Sequence, residues 1–497
     1  MSTGLEHASI RFLVAVQIMP QLQQLQSQTI MVVFQLVLQD ITVFLQEAVD
    51  SGQIVHQSID LVLYNRSNAD TQALLLLLLG GFIMLKLKTL SLFIPCIIAI
   101  SLFTACSKQY NTSNTYVAYQ DDQYTYKSQG SFSNMAESED GYYFLCGYYL
   151  FYADKSTMKP VILCNKPNCL HEDETDPNKV TSCNAFFPGL SSGSVSFFDG
   201  YVYVLERDID DGPGSACKLV KLFKDGTNRK TVLQVKYKPT SLAIHRGKAY
   251  VAGSVYDKDG TSIYGIREYD LSKSASQKPE TIFDGKITGG AIQDIICYGQ
   301  NLYFNEFAMN SEIITVRIQH YDLNTKKTTC IMKENKDSFP SELAFYKDLI
   351  LSNYTTLDYS SGEVIQVDNY LSNLDGSKRK KSFPTDNYQN LYSDGKYIYL
   401  DDVKWSPFSK PKEKQSLTVV DTEGNPIAST PTGDYSTFSS NIICGSKEHL
   451  FLENQTDTTY QIYYANKNEF TSGKINFNLM FEIPLNKMTH GYSSNTN

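Results

Sequence analysis

A turn followed by a run of alternating aromatic and aliphatic residues recurs seven times along this chain. It reads EDGYYFL (Glu139 to Leu145), FDGYVYVL (Phe198 to Leu205), HRGKAYVAG (His245 to Gly253) and YGQNLYF (Tyr298 to Phe304). It continues as YKDLILS (Tyr346 to Ser352), SDGKYIYL (Ser393 to Leu400) and GSKEHLFL (Gly445 to Leu452), at a spacing of roughly 47 to 59 residues. A second strand follows each phrase and ends in an Asp- or Asn-rich turn, as in LVKLFKDGTN, IREYDLSKS, IQHYDLNTKK and LTVVDTEGN; in the first unit it is YYLFYADKST. Short runs such as KTVLQ, ETIFD and TTCIM close the units. Runs of this length and composition, punctuated by Gly, Asn and Asp, are strand and hairpin signals.

Two hairpins per unit make a small twisted four-stranded sheet, which cannot bury both faces alone. Packing such sheets radially around an axis buries them and leaves only short edges. The chain is therefore expected to be all-β, a seven-bladed β-propeller over residues 134–485 after an N-terminal lipoprotein signal. Six or eight blades stay open, because the first and last units are the hardest to delimit. The repeated phrases are taken as the strands nearest the axis. Tyr116 to Tyr126 (YVAYQDDQYTY) is expected to pair with the last blade as a closing strand, and 486–497 to be a flexible tail.

Upstream, Met84 to Cys106 reads MLKLKTLSLFIPCIIAISLFTAC. Lys86 and Lys88 precede an apolar run from Leu90 to Phe103, then Thr104, Ala105 and a cysteine, the layout of an export signal over 84–105. It resembles the lipobox of bacterial lipoproteins, which implies acylation of Cys106. Phe103 stands where that family usually has Leu. An ordinary signal peptide or an uncleaved anchor helix are the alternatives. Residues 1–83 are expected to be mis-called upstream translation, with synthesis starting at Met84. A disordered or membrane segment is the alternative there, since Leu74 to Phe103 is long enough to span a bilayer. Residues 106–133 hold the lipidated cysteine and a polar tether, SKQYNTSN.

Composition narrows the partners. A formal net charge of −9 argues against nucleic acid. The 34 Tyr against a single Trp, with abundant Thr, Val and Ile, favour strands over helices. Taken with the turn-strand and YDL/LDG phrases, residues 135 to 482 resemble the propeller repeats of Gram-positive lipoproteins of unknown function. They are similar to the low-density-lipoprotein-receptor-type propeller. The resemblance implies the fold and says nothing of activity.

Chemistry concentrates in LCNKPNCLHEDETDPNKVTSCNAFF, Leu163 to Phe187. Cys164, Cys169, His171 and Cys183 together suit a tetrahedral structural zinc. In an exported chain a disulfide between Cys164 and Cys169 or Cys183 is equally compatible with the spacing. Cys146, Cys217, Cys297, Cys330 and Cys444 fall in or beside strands and are expected mostly as small buried hydrophobes.

Other motifs carry less. Gly189 to Gly193 spells the nucleophile elbow as letters but lacks the strand-turn-helix context. Asp208 to Gly212 and Asp257 to Gly260 are expected to be hairpin turns rather than calcium loops. Trp405, in a Pro- and Lys-rich stretch, is a candidate carbohydrate-stacking residue, with packing between blades the alternative. Together these features describe a lipid-anchored protein on the extracytoplasmic face of the cell membrane. Its propeller is expected to be a non-catalytic binding or scaffold module for a glycan, peptide or partner protein. The alternative is a glycosidase or lyase with its site on the axis. The enzyme reading needs titratable side chains converging there, and the repeated phrases, with only His245 and His449 at their edges, offer few.

Overall fold

The computed structural model describes residues 110–488 except 128–132, 172–173, 175, 188–193, 208–216, 257–261, 286–289, 310–313, 336, 359, 362, 386–389, 402–415, 432–438, 444 and 446. These residues fall in the second of two compact units, 109–497. They form seven antiparallel four-stranded sheets, each built from four consecutive strands. Blade 1 covers 135–162, blade 2 195–235, blade 3 238–285 and blade 4 290–333. Blades 5, 6 and 7 cover 338–385, 390–431 and 439–484. The fold is a seven-bladed β-propeller.

The core lies between the blades. Leu205 and Leu219 of blade 2 pack with Leu242 and Val251 of blade 3. Ile266 of blade 3 packs with Phe304 of blade 4, and Tyr303 of blade 4 with Phe345 of blade 5. Leu351 meets Leu400, and Val419 meets Leu452, which carries the packing through blades 5, 6 and 7. Phe144, Phe151, Phe451 and Met480 join blade 7 to blade 1. Each sheet thus covers its two apolar faces with its neighbours, as the repeat pattern required.

The repeated phrases occupy the second strand of each blade, not the one nearest the axis. In blade 3, Lys248–Tyr256 pairs on one side with Ser262–Asp270 and on the other with the axial strand Lys238–His245. The phrase is conspicuous because a second strand is buried on both faces and so is uniformly apolar. The axial strands precede the turn and carry a different, more polar set of residues.

The seven tight turns at one end of the axis are crossed by the segment 110–127. This segment is neither tether nor closing strand over these residues. Its backbone reverses at Tyr119 (φ 61), and Asp121 folds back so that its N–H reaches the Val117 carbonyl and its carboxylate accepts from the Val117 N–H. A one-turn 3-10 segment follows at Tyr124–Tyr126. Blade 7 takes all four strands from the C-terminal end and blade 1 all four from the N-terminal end, so no strand is shared. Side chains close the ring instead. The Tyr142 hydroxyl lies 2.7 Å from His449 Nδ1, and Phe481 packs edge-on against Phe144 and tilted against Phe151, with centroids at 5.3 and 4.8 Å.

The segment 110–127 touches every blade. Gln123 exchanges two hydrogen bonds with the Glu137 backbone of blade 1, and the Asp199 N–H of blade 2 donates to the Tyr119 carbonyl. Arg246 of blade 3 grips Asp121 through both carboxylate oxygens at 2.7 and 3.1 Å, and reaches the carbonyls of Ser113 and Thr115. Asn114 accepts from Gln300 and Asn301 of blade 4. The Tyr124 ring packs on Phe345 of blade 5 and its hydroxyl faces Gly395 of blade 6, while the Gly445 N–H of blade 7 donates to the Thr125 carbonyl. The turn glycines permit this approach. A Cβ on Gly247 would meet the Tyr110 ring at 2.5 Å, and one on Gly299 would meet the Asn114 backbone at 2.6 Å. Both also sit at positive φ, where glycine is unstrained.

Candidate functional site

The axial strands differ at one position, four residues before the tight turn. Blades 2 and 3 have buried serines there, Ser194 and Ser241; blades 4 and 5 have Asp294 and Glu342. The Ser241 hydroxyl accepts from the Ile295 N–H at 3.0 Å, stitching blade 3 to blade 4. The two acids sit where the pairing slips. Gln293 pairs with Asn305 and Ile296 with Tyr303, so Asp294 and Ile295 bulge. Pro340 pairs with Tyr354 and Leu343 with Ser352, so Ser341 and Glu342 bulge. A bulge re-aims its side chain away from the regular pleat, and Asp294 takes a left-handed φ of 55, a conformation Asp tolerates.

Both carboxyls line one cavity of about 280 Å³ with Tyr124, Lys127, Asn305 and Tyr392. Tyr124 and Lys127 come from the segment crossing the turns, which therefore forms the cavity's floor. Asp294 accepts from Asn305 Nδ2 at 3.0 Å. Glu342 accepts from the Leu391 N–H at 2.9 Å and from Asn353 Nδ2 at 3.3 Å. Both carboxyls lie deep in the molecule while keeping a face toward the cavity. Burial raises the Asp294 carboxyl, against the pull of Asn305 and Lys127. Burial, aided by the charge of Asp294, pushes Glu342 up to about 7 despite its hydrogen bonds. Lys127 is held aside, donating to Asp122 at 2.8 Å and to the Ile295 carbonyl at 2.5 Å. Asn305 Oδ1 is buried without a hydrogen-bond partner.

Beside this floor, His245 is a structural link. The Asp122 N–H donates to its Nδ1 at 3.1 Å, so its Nε2 carries the proton that goes to the Gly299 carbonyl at 2.8 Å. Burial holds its pKa below the ordinary range, as this neutral tautomer requires.

The connection between blades 1 and 2 carries the cysteine-histidine cluster. Its ends are pinned to blade 1: Leu163 N–H donates to the Leu150 carbonyl, Leu150 N–H to Ala185, and Phe187 N–H to Tyr148. A short helix, Pro177–Ser182, returns the chain toward Cys183. The donor atoms of Cys164, Cys169, His171 and Cys183 all lie within 4.8 Å of one another, with the three cysteines as separate thiols. Burial raises the Cys164 thiol, but N–H donors of Lys166 and Asn184 and the neighbouring thiols outweigh it, leaving it below the ordinary range. Burial pushes Cys183 up to about 12. The sequence-selected four are therefore brought together.

Of the strand cysteines, Cys146, Cys217 and Cys297 are buried as expected, whereas Cys330 is exposed on an outermost strand. Cys106, Trp405, Cys444, Gly189 to Gly193, Asp208 to Gly212 and Asp257 to Gly260 lie outside the described residues. Asp294, Glu342 and Asn305 were not singled out from the sequence. A signal was present in AIQDIICY and FPSELAFY, where an acid interrupts a largely apolar strand shortly before a turn.

No protein-family model matches this chain, and no curated protein matches it either. Among solved structures, a prolyl endopeptidase is similar at a TM-score of 0.48 and 14% identity, over 73% of this chain and 51% of that one. The chain thus spans about half the length of that enzyme. Oligogalacturonate lyase from Vibrio parahaemolyticus is similar at a TM-score of 0.45 and 10% identity, over 71% of this chain and 92% of the lyase. The propeller domain of the trilobed protease from Pyrococcus furiosus, described with an open velcro topology, is similar at 0.36 and 12% identity, over 54% and 78%. At these identities the likeness concerns the fold.

Proposed function

We propose that this chain is a lipid-anchored extracytoplasmic protein whose propeller binds a small hydroxyl-rich ligand, such as a sugar ring, without transforming it. The observation that supports this most is the axial cavity floored by the segment 110–127. Its groups suit neutral polyols. Glu342, with a pKa of about 7, both donates and accepts near neutral pH. Asn305 Oδ1 is an open acceptor, and Tyr124 and Tyr392 add aromatic side chains to the lining. Two carboxyls disfavour anions. The volume of about 280 Å³ lies at the lower edge of the roughly 300–1,000 Å³ common for small-molecule sites, which suits one ring rather than an oligomer.

The anchor fits this arrangement. Cys106 precedes Tyr110 by four residues, a reach of at most about 14 Å. Lipidation there would turn the floored end of the axis toward the bilayer and the other end outward. Replacing Cys106 by Ser should move the chain from the membrane fraction to the soluble one.

One observation favours a carbohydrate-active enzyme as the second reading. Asp294 and Glu342 are two carboxyls in one cavity, and a carboxyl tuned near neutrality is the usual general acid. Incubating the full-length chain in detergent with a panel of mono- and polysaccharides, read by mass spectrometry, separates the two. Retention without cleavage, abolished in Asn305→Leu, supports binding. Cleaved or unsaturated products lost in Glu342→Gln would establish the enzyme instead.

A further inference from the structure

We infer that Cys164, Cys169, His171 and Cys183 bind one zinc ion in a closed structural site that fixes the connection between blades 1 and 2. A tetrahedral zinc with Zn–S near 2.3 Å and Zn–N near 2.0 Å sets S···N edges of about 3.5 Å and S···S edges of about 3.8 Å. Cys183 Sγ and His171 Nδ1 already stand 3.6 Å apart. The remaining donor pairs, all within 4.8 Å, need about 1 Å of contraction at most. His171 is held for this task. Its left-handed backbone (φ 51) turns the chain back toward the thiols, and its carbonyl accepts from the Tyr149 hydroxyl at 2.8 Å.

The surroundings are those of metal-bound thiolates. N–H groups of Lys166 and Asn184 donate to the Cys164 sulfur and that of Ala185 to Cys183. Thiolates gain from such donors, which orient the ligands as outer-shell groups do in metal sites. The segment also needs a fastener. Among its described residues the chain from Leu163 to Phe187 contributes one six-residue helix; its ends are tied to blade 1, and Arg229 of blade 2 donates to the Phe186 carbonyl at 2.5 Å and lies over the Phe187 ring, which leaves the stretch between to be held by the ion. Four protein ligands leave no open position for water or substrate. The ion's role is therefore to tie a loop, and it is independent of the axial cavity.

Zinc content per chain would be measured on the full-length protein purified without added metal, alongside thiol titration after denaturation. One zinc per chain with all three thiols free to titrate is expected. Cobalt replacement should give the thiolate-to-cobalt charge transfer and intense d–d bands of a tetrahedral sulfur-rich site. Cys169→Ser should weaken zinc binding beyond the ~10–100-fold typical of losing an outer-shell partner. Cys330→Ser, altering an exposed thiol elsewhere, should leave content and spectrum unchanged. Two missing thiols with no metal, and a disulfide-linked peptide joining Cys164 to Cys169 or Cys183, would overturn the inference. So would zinc retained in both cysteine variants.

Discussion

Replacing Glu342 by Gln should change how stability depends on pH, and the sign follows from the site. Burial lifts this carboxyl from the ordinary 4.5 to about 7 in the folded chain. Between those values the folded state keeps a proton that the unfolded state has released. Stability contributed by the protonated group is thus full below about pH 4.5 and lost as pH rises through about 7. At about 1.4 kcal/mol per tenfold, the interval is worth about 3 kcal/mol, and cavity water reduces this to about 1–3 kcal/mol. Gln stays neutral throughout and keeps an oxygen to accept from Leu391 and Asn353. The variant should match the parent at pH 4 and exceed it by about 1–3 kcal/mol at pH 7.5. Asp294, raised in the same direction, and the buried histidines His245, His320 and His449, all lowered by burial, remain in both chains. The titration of the histidines cancels in the difference, and the Asp294–Glu342 repulsion, present only when both are charged, adds to the parent's loss at high pH. Urea midpoints across this pH range measure it. A constant offset at every pH, or a parent that gains on the variant as pH rises, would refute the reasoning.

Three other perturbations probe the ring. Arg246→Ala leaves the Asp121 carboxylate, whose side chain is fully buried, without its guanidinium, a loss of about 3–5 kcal/mol. Limited proteolysis should then open the chain first within 110–127, and unchanged protection there would mean that Arg246 does not hold the segment. Phe451→Ala empties a fully buried site between blades 7 and 1 and should cost about 3–5 kcal/mol by urea denaturation. Lys467→Met strands Asp394 in a buried pair joining blades 7 and 6, again at about 3–5 kcal/mol, and adding Asp394→Asn should restore most of it. An uncoupled double variant would mean the pair does not link these blades.

The blade count was readable because each second strand is buried on both faces, and uniform burial writes an uninterrupted apolar phrase such as YIYL or YVYVL. That same prominence misplaced the axis. The strands nearest the axis admit polar groups, and those of blades 4 and 5 bulge, so GAIQDIICY and SFPSELAFY look irregular to a period-two reading. Judging the axis from the phrases therefore missed Asp294 and Glu342. The cysteine-histidine cluster was legible because its residue types are scarce and their chemistry is narrow. Its convergence was not, since it depends on pairing of Phe186 with Tyr149 across a stretch with little regular structure.

Ring closure shows why the segment 110–127 escaped a pattern reading. A propeller closed by a shared strand advertises an orphan β run at one terminus, and YVAYQDDQYTY looks like one. Here blades 1 and 7 are each complete, so that run had no ladder to join. Its aromatic rings instead fill gaps between turns, and its acids are held from the blades and from within: Asp121 meets Arg246 of a blade 3 turn, and Asp122 meets the Cys297 N–H of blade 4 and Lys127 of the segment itself. A segment that contacts all seven blades opposes their separation wherever a ring without a shared strand is weakest. It also makes one end of the axis a floor, so that the carboxyls of blades 4 and 5 share a pocket instead of lining an open channel. Closure and candidate site thus depend on the same eighteen residues, and loosening Arg246 should disturb both the ring and the cavity.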